Sequence, residues 1–284
     1  HGLFVLAWRG TSIKVEELPR RESQEPASEL SARIAKAAAP MLAGAPSVHL
    51  HVHRSFAALP LDRSLAALLE VPIAFAVDAP SRSPGLACAG ARRALLVTNP
   101  QQNLWAASEA AKVIQGDLAR MGFRVDTLEG AAATRAAIEA RLADPCTALF
   151  QYDGHAVAAV PRGASGSLAG GLPRDRTDDA LLLAGSDTLT AADVLRLPRV
   201  PDKVVLNGCT TAAPEGLGLA QAFVLAGAAQ VIASLDEVPA DDAAKFTRKL
   251  FEAAPPGVAE FDLVRLFARA TSGADVPALR VFER

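Results

Sequence analysis

The sequence predicts an α/β fold: a mostly parallel sheet flanked by helices on both faces, with an N-terminal accessory α/β half. Two observations carry this expectation. From Arg93 onward, short apolar runs alternate with amphipathic helical stretches, the pattern of a doubly wound sheet. Ahead of them, Ala79-Pro-Ser-Arg-Ser-Pro-Gly85 is the strongest interruption in the chain, and it separates an accessory region, 1–85, from a main region, 86–284.

In the first region, residues 2–8 are a short apolar run and read as a buried strand. Ile13 to Leu18 alternates weakly, as an edge strand paired with it would. Arg20 to Pro26 is polar and reads as a loop. Ser28 to Met41 has Leu30, Ile34 and Ala38 at helical spacing, with Ser28 as N-cap. Val48 to Val52 is a strand, Leu59 to Leu69 contains a helix, and Ile73 to Val77 is a further strand. His49, His51 and His53 recur at period two, which would set them on one face of a strand where histidines can bind zinc, although no acidic residue or cysteine nearby completes a site.

The second region is more regular. Arg93–Val97 is a strand, followed by a turn at Thr98-Asn-Pro-Gln. Leu104, Ala107, Ala111, Ile114, Leu118 and Met121 form one helical stripe, closed by Gly122. Phe123–Leu128 is a strand, Thr134–Leu142 a helix and Thr147–Tyr152 a strand. Val160 to Ala180 is rich in Gly, Ser, Arg and Asp and reads as a long surface loop without a phosphate-cradling Gly-Lys-Ser/Thr element. Leu181-Leu-Leu is a short strand, and Thr190 caps a brief helix. Lys203–Leu206 is a strand, Gly-rich 214–218 leads into a helix to Leu225, and Gln230–Leu235 is a strand. Helices over Ala240–Glu252 and Val258–Ala270 complete the pattern.

Composition narrows the function classes. A chain of 284 residues, 50% hydrophobic and 21% charged, can bury a full core. Lys+Arg 29 against Asp+Glu 31 leaves a net charge of −2, and the basic residues are scattered, so neither a nucleic-acid partner nor a membrane surface is expected. No apolar run is long enough to span a bilayer. Cys88, Cys146 and Cys209 are odd in number and widely spaced, which is neither a disulfide framework nor a zinc ribbon and suits a reducing, cytoplasmic location; Cys88 and Cys146 read as structural. No cofactor and no metal are expected. The start, His1-Gly-Leu-Phe-Val-Leu-Ala, lacks a Met and the layout of a signal peptide, and reads as the interior of a longer polypeptide with upstream regulatory or sensor domains.

Two strand tips stand out: Tyr152-Asp-Gly-His155 and Leu206-Asn-Gly-Cys209. Each puts a reactive side chain directly after a glycine at the carboxyl end of an apolar run, where α/β sheets collect ligands and chemistry. They lie 54 residues apart (209 − 155), with room for one strand and one helix between, so the strands can be neighbours. A thiol beside an imidazole is the minimal pair for covalent acyl transfer: the thiolate attacks a carbonyl and the protonated histidine supplies the leaving-group proton.

The runs Val204-Val-Leu-Asn-Gly-Cys-Thr-Thr-Ala, Gly218-Leu-Ala-Gln-Ala-Phe-Val-Leu-Ala-Gly-Ala and Val231-Ile-Ala-Ser-Leu-Asp-Glu-Val-Pro-Ala-Asp-Asp resemble the CHAT peptidase domain of the caspase–separase clan. Leu95-Leu-Val-Thr-Asn-Pro with Ser108-Glu-Ala-Ala, Phe150-Gln-Tyr-Asp-Gly-His155, and Phe56-Ala-Ala-Leu-Pro-Leu-Asp fit the same family, so the likeness extends over about residues 48–270. The resemblance implies a caspase-like sheet, a cysteine endopeptidase acting on a protein or peptide partner, His155 as general acid/base and Cys209 as nucleophile. It also implies an oxyanion hole from the backbone N–H groups of Cys209 and Ala156. The family usually has Gly where Ala156 stands, and commonly Trp where Asp236 stands; these departures keep open an inactive module used for binding or assembly. Asp236 and Glu237 suggest a pocket for a basic substrate side chain, and Asp153 and Asn207 are further candidates for substrate contact. A metal-dependent hydrolase built on His49, His51 and His53 is a third reading.

Overall fold

The computed structural model describes residues 3–9, 12–19, 25–53, 56–79, 88–158, 179–212, 217–257, 261–272 and 278–284. Most of the expected 160–180 loop, the 80–85 boundary segment, residues 214–216 and the start expected for the last helix, 258–260, lie outside these residues. The chain forms two compact units, His1–Ala76 and Val77–Arg284.

In the first unit, β1 (Leu3–Arg9) and β2 (Ser12–Leu18) pair antiparallel, in the register Leu6 opposite Val15. The run 2–8 is not a buried strand, however: Phe4 is 52% exposed and Leu6 56%, while Ala7 is buried. A two-stranded hairpin covers only the face that alternation turns inward, here toward helix α1 (Ala27–Leu42). That helix begins at Pro26, whose carbonyl accepts the Leu30 N–H, rather than at a Ser28 cap. β3 (Val48–Leu50) pairs parallel with β4 (Ile73–Ala76), and α2 (Leu61–Leu69) lies between them in sequence. Ala35, Ala38, Val48, Leu65 and Ile73 make this unit's core. Because β3 ends at Leu50, only His49 lies in a strand, which removes the shared strand face on which a three-histidine zinc site depends. Among the described residues, no group of three or more His, Cys, Asp or Glu side chains is placed to hold a metal.

The second unit is built on one sheet. Its strands are β5 (Arg93–Thr98), β6 (Arg124–Glu129), β7 (Thr147–Asp153), β11 (Lys203–Asn207), β12 (Gln230–Ser234) and β13 (Leu279–Glu283), with β8 (Ala156–Val157), β9 (Ala180–Leu182) and β10 (Thr188–Thr190) in a small separate antiparallel sheet. The main order is β6-β5-β7-β11-β12-β13, parallel throughout except for β13, which pairs antiparallel with β12. The sequence reading stops short of β13. Helix α7 (Ala240–Glu252) packs against both α3 (Trp105–Arg120) and α8 (Leu263–Thr271), and α5 (Ala191–Arg196) packs against α6 (Leu219–Leu225), while α4 (Arg135–Leu142) contacts β7 and is joined to α5 by an Arg135–Asp193 ion pair. Right-handed crossovers put α3 on one face of the sheet and α4, α5 and α6 on the other.

Local chemistry explains most boundaries. α3 buries Ala107, Ala111, Ile114 and Leu118 as its stripe predicts, and stops at Gly122 (φ +94°), where Phe123 N–H bonds Leu118 O at 3.0 Å. Thr190 and Asp193 cap each other's backbone N–H at the start of α5, as expected for Thr190. Asp262 caps α8, whose first residue, Leu263, lies five residues after the expected start at Val258. At the amino end of the sheet, Gln230 accepts from Lys203 Nζ at 2.8 Å and donates to Asp262 and Glu283, joining β11, β12, β13 and α8.

The cysteine reading needs correction. Cys88 and Cys146 form a disulfide (Cα–Cα 4.7 Å), which ties the segment before β5 to the start of β7; only Cys209 is free. Cysteines 58 residues apart in sequence meet because β5 and β7 are neighbours. Replacing both by serine removes a constraint on the unfolded chain and is expected to lower stability by ~2–4 kcal/mol. Urea unfolding of the double variant measures this, and peptide mapping without reductant detects the bond directly.

Candidate active site

β7 and β11 run parallel and in register, Tyr152 beside Leu206 and Asp153 beside Asn207. Two residues past the last pair, the strands present His155 and Cys209, both partly exposed. The two tips touch: a Cβ placed on Gly208 would lie 2.8 Å from the Ala156 Cβ and 3.3 Å from Gly154 O. Only glycine fits at 208 beside the Ala156 methyl.

The turn after Gly208 is strained and tied down. Thr210 has φ +53°, a left-handed conformation that is unusual for a β-branched residue. Its N–H bonds Asp236 O at 3.2 Å, Ala212 N–H bonds Ser234 O at 2.7 Å, and Thr211 Oγ1 accepts the Ser234 N–H at 3.0 Å. Ser234 Oγ also donates to Asp236 O at 2.7 Å. These bonds fix the Cys209 turn against the end of β12 and hold the Asp236–Glu237 loop beside it, with both carboxylates exposed.

β7's tip is fixed separately. The Tyr152 hydroxyl lies 2.6 Å from His155 O and 2.7 Å from Leu182 O, and Leu182 N–H bonds His155 O at 2.8 Å. Ala156 lies opposite Leu181 in the β8–β9 pair. With the bonded pair at His155 and Leu182, alternation turns the Ala156 N–H away from β9. Ala156 is not among the residues with positive φ, so alanine at this position introduces no backbone strain. His155 Nε2 stands 3.1 Å from Asn103 Oδ1, a contact absent from the sequence reading, where the 98–101 turn marked only a connection.

Asp153 and Asn207, expected to meet substrate, are 5% and 8% exposed and lie beneath the tips on the face covered by α7. Asp153 Oδ1 accepts from Asn207 Nδ2 at 2.6 Å and from Gln151 Nε2 at 2.9 Å, and Asn207 Nδ2 also donates to Thr247 of α7. Burial raises the Asp153 pKa from 3.8 to about 6, against the opposing pull of the Asn207 and Gln151 hydrogen bonds. Its Oδ2 is buried without a hydrogen-bond partner among the described residues.

A cavity of about 970 Å³ opens in the first unit and includes His49, His51 and His53 among its lining, but neither His155 nor Cys209.

Two outcomes follow from this geometry. Gly208→Ala forces the tips apart, and a displacement near 1 Å is expected to lower any Cys209-dependent turnover by roughly 10² at nearly unchanged fold content, measured by kinetics alongside circular dichroism. Asp153 binds its proton more tightly in the folded than in the unfolded chain, so its contribution to stability is complete below pH 3.8 and lost as pH rises to about 6. Relative to Asp153→Asn, the wild type is therefore expected to lose on the order of 3 kcal/mol over that window. Urea titrations of both proteins at pH 4 and pH 7 measure it, and an equal difference at the two pH values would refute the assignment.

Comparison with known proteins gives a family and a fold. Residues 24–260 match the CHAT domain family model. No curated protein matches the chain. Among solved structures, a chain of the Saccharomyces cerevisiae separase–securin complex aligns over 83% of this chain with TM-score 0.50 and 16% identity; this chain spans only 15% of its length. The Arg-specific cysteine proteinase gingipain R aligns over 76% of this chain and 54% of its own, with TM-score 0.48 and 15% identity. At such identity the separase likeness is one of fold, the mostly parallel sheet with helices on both faces. The family match spans well over half of the residues, and this chain belongs to the CHAT domain family.

Proposed function

We infer that this chain is a cysteine endopeptidase that cuts a protein or peptide substrate with Cys209 as nucleophile and His155 as general acid/base. The observation that carries the reading is the pair of touching strand tips, each presenting its reactive residue two positions past an in-register pair of neighbouring parallel strands. Membership of the CHAT family supports it.

The chemistry is complete with the chain's own groups and water. His155 takes the Cys209 thiol proton, and Sγ attacks the scissile carbonyl carbon while the carbonyl π electrons move onto oxygen. The N–H groups of Cys209 and Ala156 hold that oxyanion. Collapse breaks the C–N bond, and the imidazolium proton passes to the leaving amine. His155 then deprotonates water, which attacks the thioester carbon; the acid leaves and the thiol is restored. Asp153 and Asn207 act from below, by holding the strand ends, and not by touching substrate. The exposed carboxylates of Asp236 and Glu237, held beside the Cys209 turn through Thr210, fit a Lys or Arg side chain of the substrate. The cytoplasmic location expected from the cysteine spacing loses its basis with the Cys88–Cys146 bond, since structural disulfides belong mainly to oxidising compartments.

A comparison of newly formed protein N-termini between wild type and Cys209→Ala tests the reading. Loss of at least ~10³ in cleavage rate is expected for the variant, with wild-type cuts falling after Lys or Arg. Undiminished cleavage by Cys209→Ala would sink the assignment. An electrophilic peptide that never labels Cys209 in a His155-dependent way would favour the assembly-module reading.

A further inference from the structure

We propose that Asn103 is a positioning residue that makes the His155–Cys209 pair a triad, accepting the His155 Nε2–H and leaving Nδ1 to face the thiol. The inference rests on the cysteine-peptidase reading and adds a residue that neither the sequence pattern nor the family motifs single out.

Asn103 Oδ1 stands 3.1 Å from His155 Nε2. An amide oxygen only accepts, so this contact selects the tautomer with its proton on Nε2. Nδ1 then carries the lone pair that receives the thiol proton. Once the ring is protonated, Nε2 keeps its proton and its acceptor, so the same bond stabilises the imidazolium beside the thiolate. This is the role of a third member that orients the base.

The loop that presents Asn103 is built, not incidental. Asn99 (φ +45°) and Gln102 (φ +59°) both hold left-handed backbone, and for glutamine this is costly. Such strain persists where the surroundings over-determine it, and here they do. Asn99 N–H bonds Asp153 O at 2.8 Å, which ties the loop directly to the tip of β7. The Asn99 side chain accepts from Leu104 N–H at 2.8 Å and donates to Ser108 Oγ at 3.0 Å, so it fastens the loop to the start of α3. Gln102 N–H bonds Asn99 O at 3.0 Å, and Gln101 Nε2 reaches Leu183 O at 2.8 Å. Asn103 therefore sits between anchored residues on both sides.

Topology gives an independent reason. In the order β6-β5-β7-β11-β12, the connection from β5 leaves toward β6, whereas the one from β7 leaves toward β11. The switch point lies between β5 and β7, and the crevice beyond their carboxyl ends is where open α/β sheets bind and react. Asn103 follows β5 and His155 follows β7, so the pair faces across that crevice.

The test uses the whole disulfide-bonded chain, in which Cys209 is the one free thiol of three cysteines. The rate of Cys209 alkylation by iodoacetamide is followed from pH 5 to 9 in wild type, Asn103→Ala, Asn103→Asp and His155→Ala, with kcat/KM measured on a peptide substrate where turnover is found. Asn103→Ala is expected to lower the alkylation rate near pH 7 about tenfold, the effect of removing one hydrogen bond to a charged ring. Asn103→Asp keeps the acceptor and adds charge, so it is expected to retain at least the wild-type rate near pH 7, because a carboxylate supports the imidazolium beside the thiolate as well as the amide does. If Asn103→Ala reacts as wild type does while His155→Ala is slowed, the inference falls and the dyad stands. If His155→Ala itself reacts as wild type does, the peptidase reading falls with it. Equal losses in Asn103→Ala and Asn103→Asp would also overturn the positioning role, since a shared defect is one of folding or packing.

Discussion

The candidate site depends on the register of one parallel strand pair, β7 with β11. A slip of β7 by one residue would turn Asp153 from the α7 side of the sheet to the α6 side, away from Asn207, and carry His155 with it. Apolar packing alone sets that register weakly, because Leu149–Tyr152 and Val204–Leu206 bury side chains on both faces. The polar bond from Asn207 Nδ2 to Asp153 Oδ1 sets it strongly: in any other register a buried carboxylate would lose its cross-strand donor and keep only Gln151 of its own strand. Gly208 is the steric counterpart, since the Ala156 methyl occupies the space that any side chain at 208 would need.

Strain gathers at the same edge. Asn99, Gln102 and Thr210 are left-handed, and they flank the two loops that carry Asn103 and Cys209. Each departure costs on the order of 1–3 kcal/mol and survives only where bonds from neighbouring elements hold it. The bonds to Asp153 O, Ser108, Asp236 O and Ser234 come from three different stretches, so local sequence preference does not decide these conformations; the assembled sheet does.

This explains which parts of the molecule can be read from the sequence. The parallel strands β5 to β12 are legible because buried strands are continuous apolar runs and the helices between them keep one stripe. The neighbouring strand tips that carry His155 and Cys209 are legible because a glycine followed by a reactive residue ends an apolar run in both cases. β13 is not, because its five residues include Arg280 and Glu283 and become a strand only by pairing antiparallel with β12. The disulfide is hidden for a similar reason, as sequence separation says nothing of the 4.7 Å between Cα atoms. Asp153 and Asn207 look like solvent-facing strand ends until α7 is seen to cover them, and Asn103 looks like loop filler until β5 and β7 are known to be neighbours.

The tip of β7 shows how a parallel sheet can aim one side chain. Tyr152 and Asp153 point to opposite faces, as strand geometry requires. Tyr152 holds the His155 carbonyl from the β9 side, and Asp153 holds Asn207 from the α7 side while its own carbonyl takes the Asn99 N–H. The backbone that carries His155 is thus fixed from both faces and from the neighbouring strand, and the imidazole retains freedom only in its side-chain torsions. A ring with its backbone clamped and one nitrogen engaged by Asn103 has its remaining nitrogen directed by geometry, without any need for a buried carboxylate beside it. In that division, buried polar groups set the strand ends and a neutral amide sets the ring.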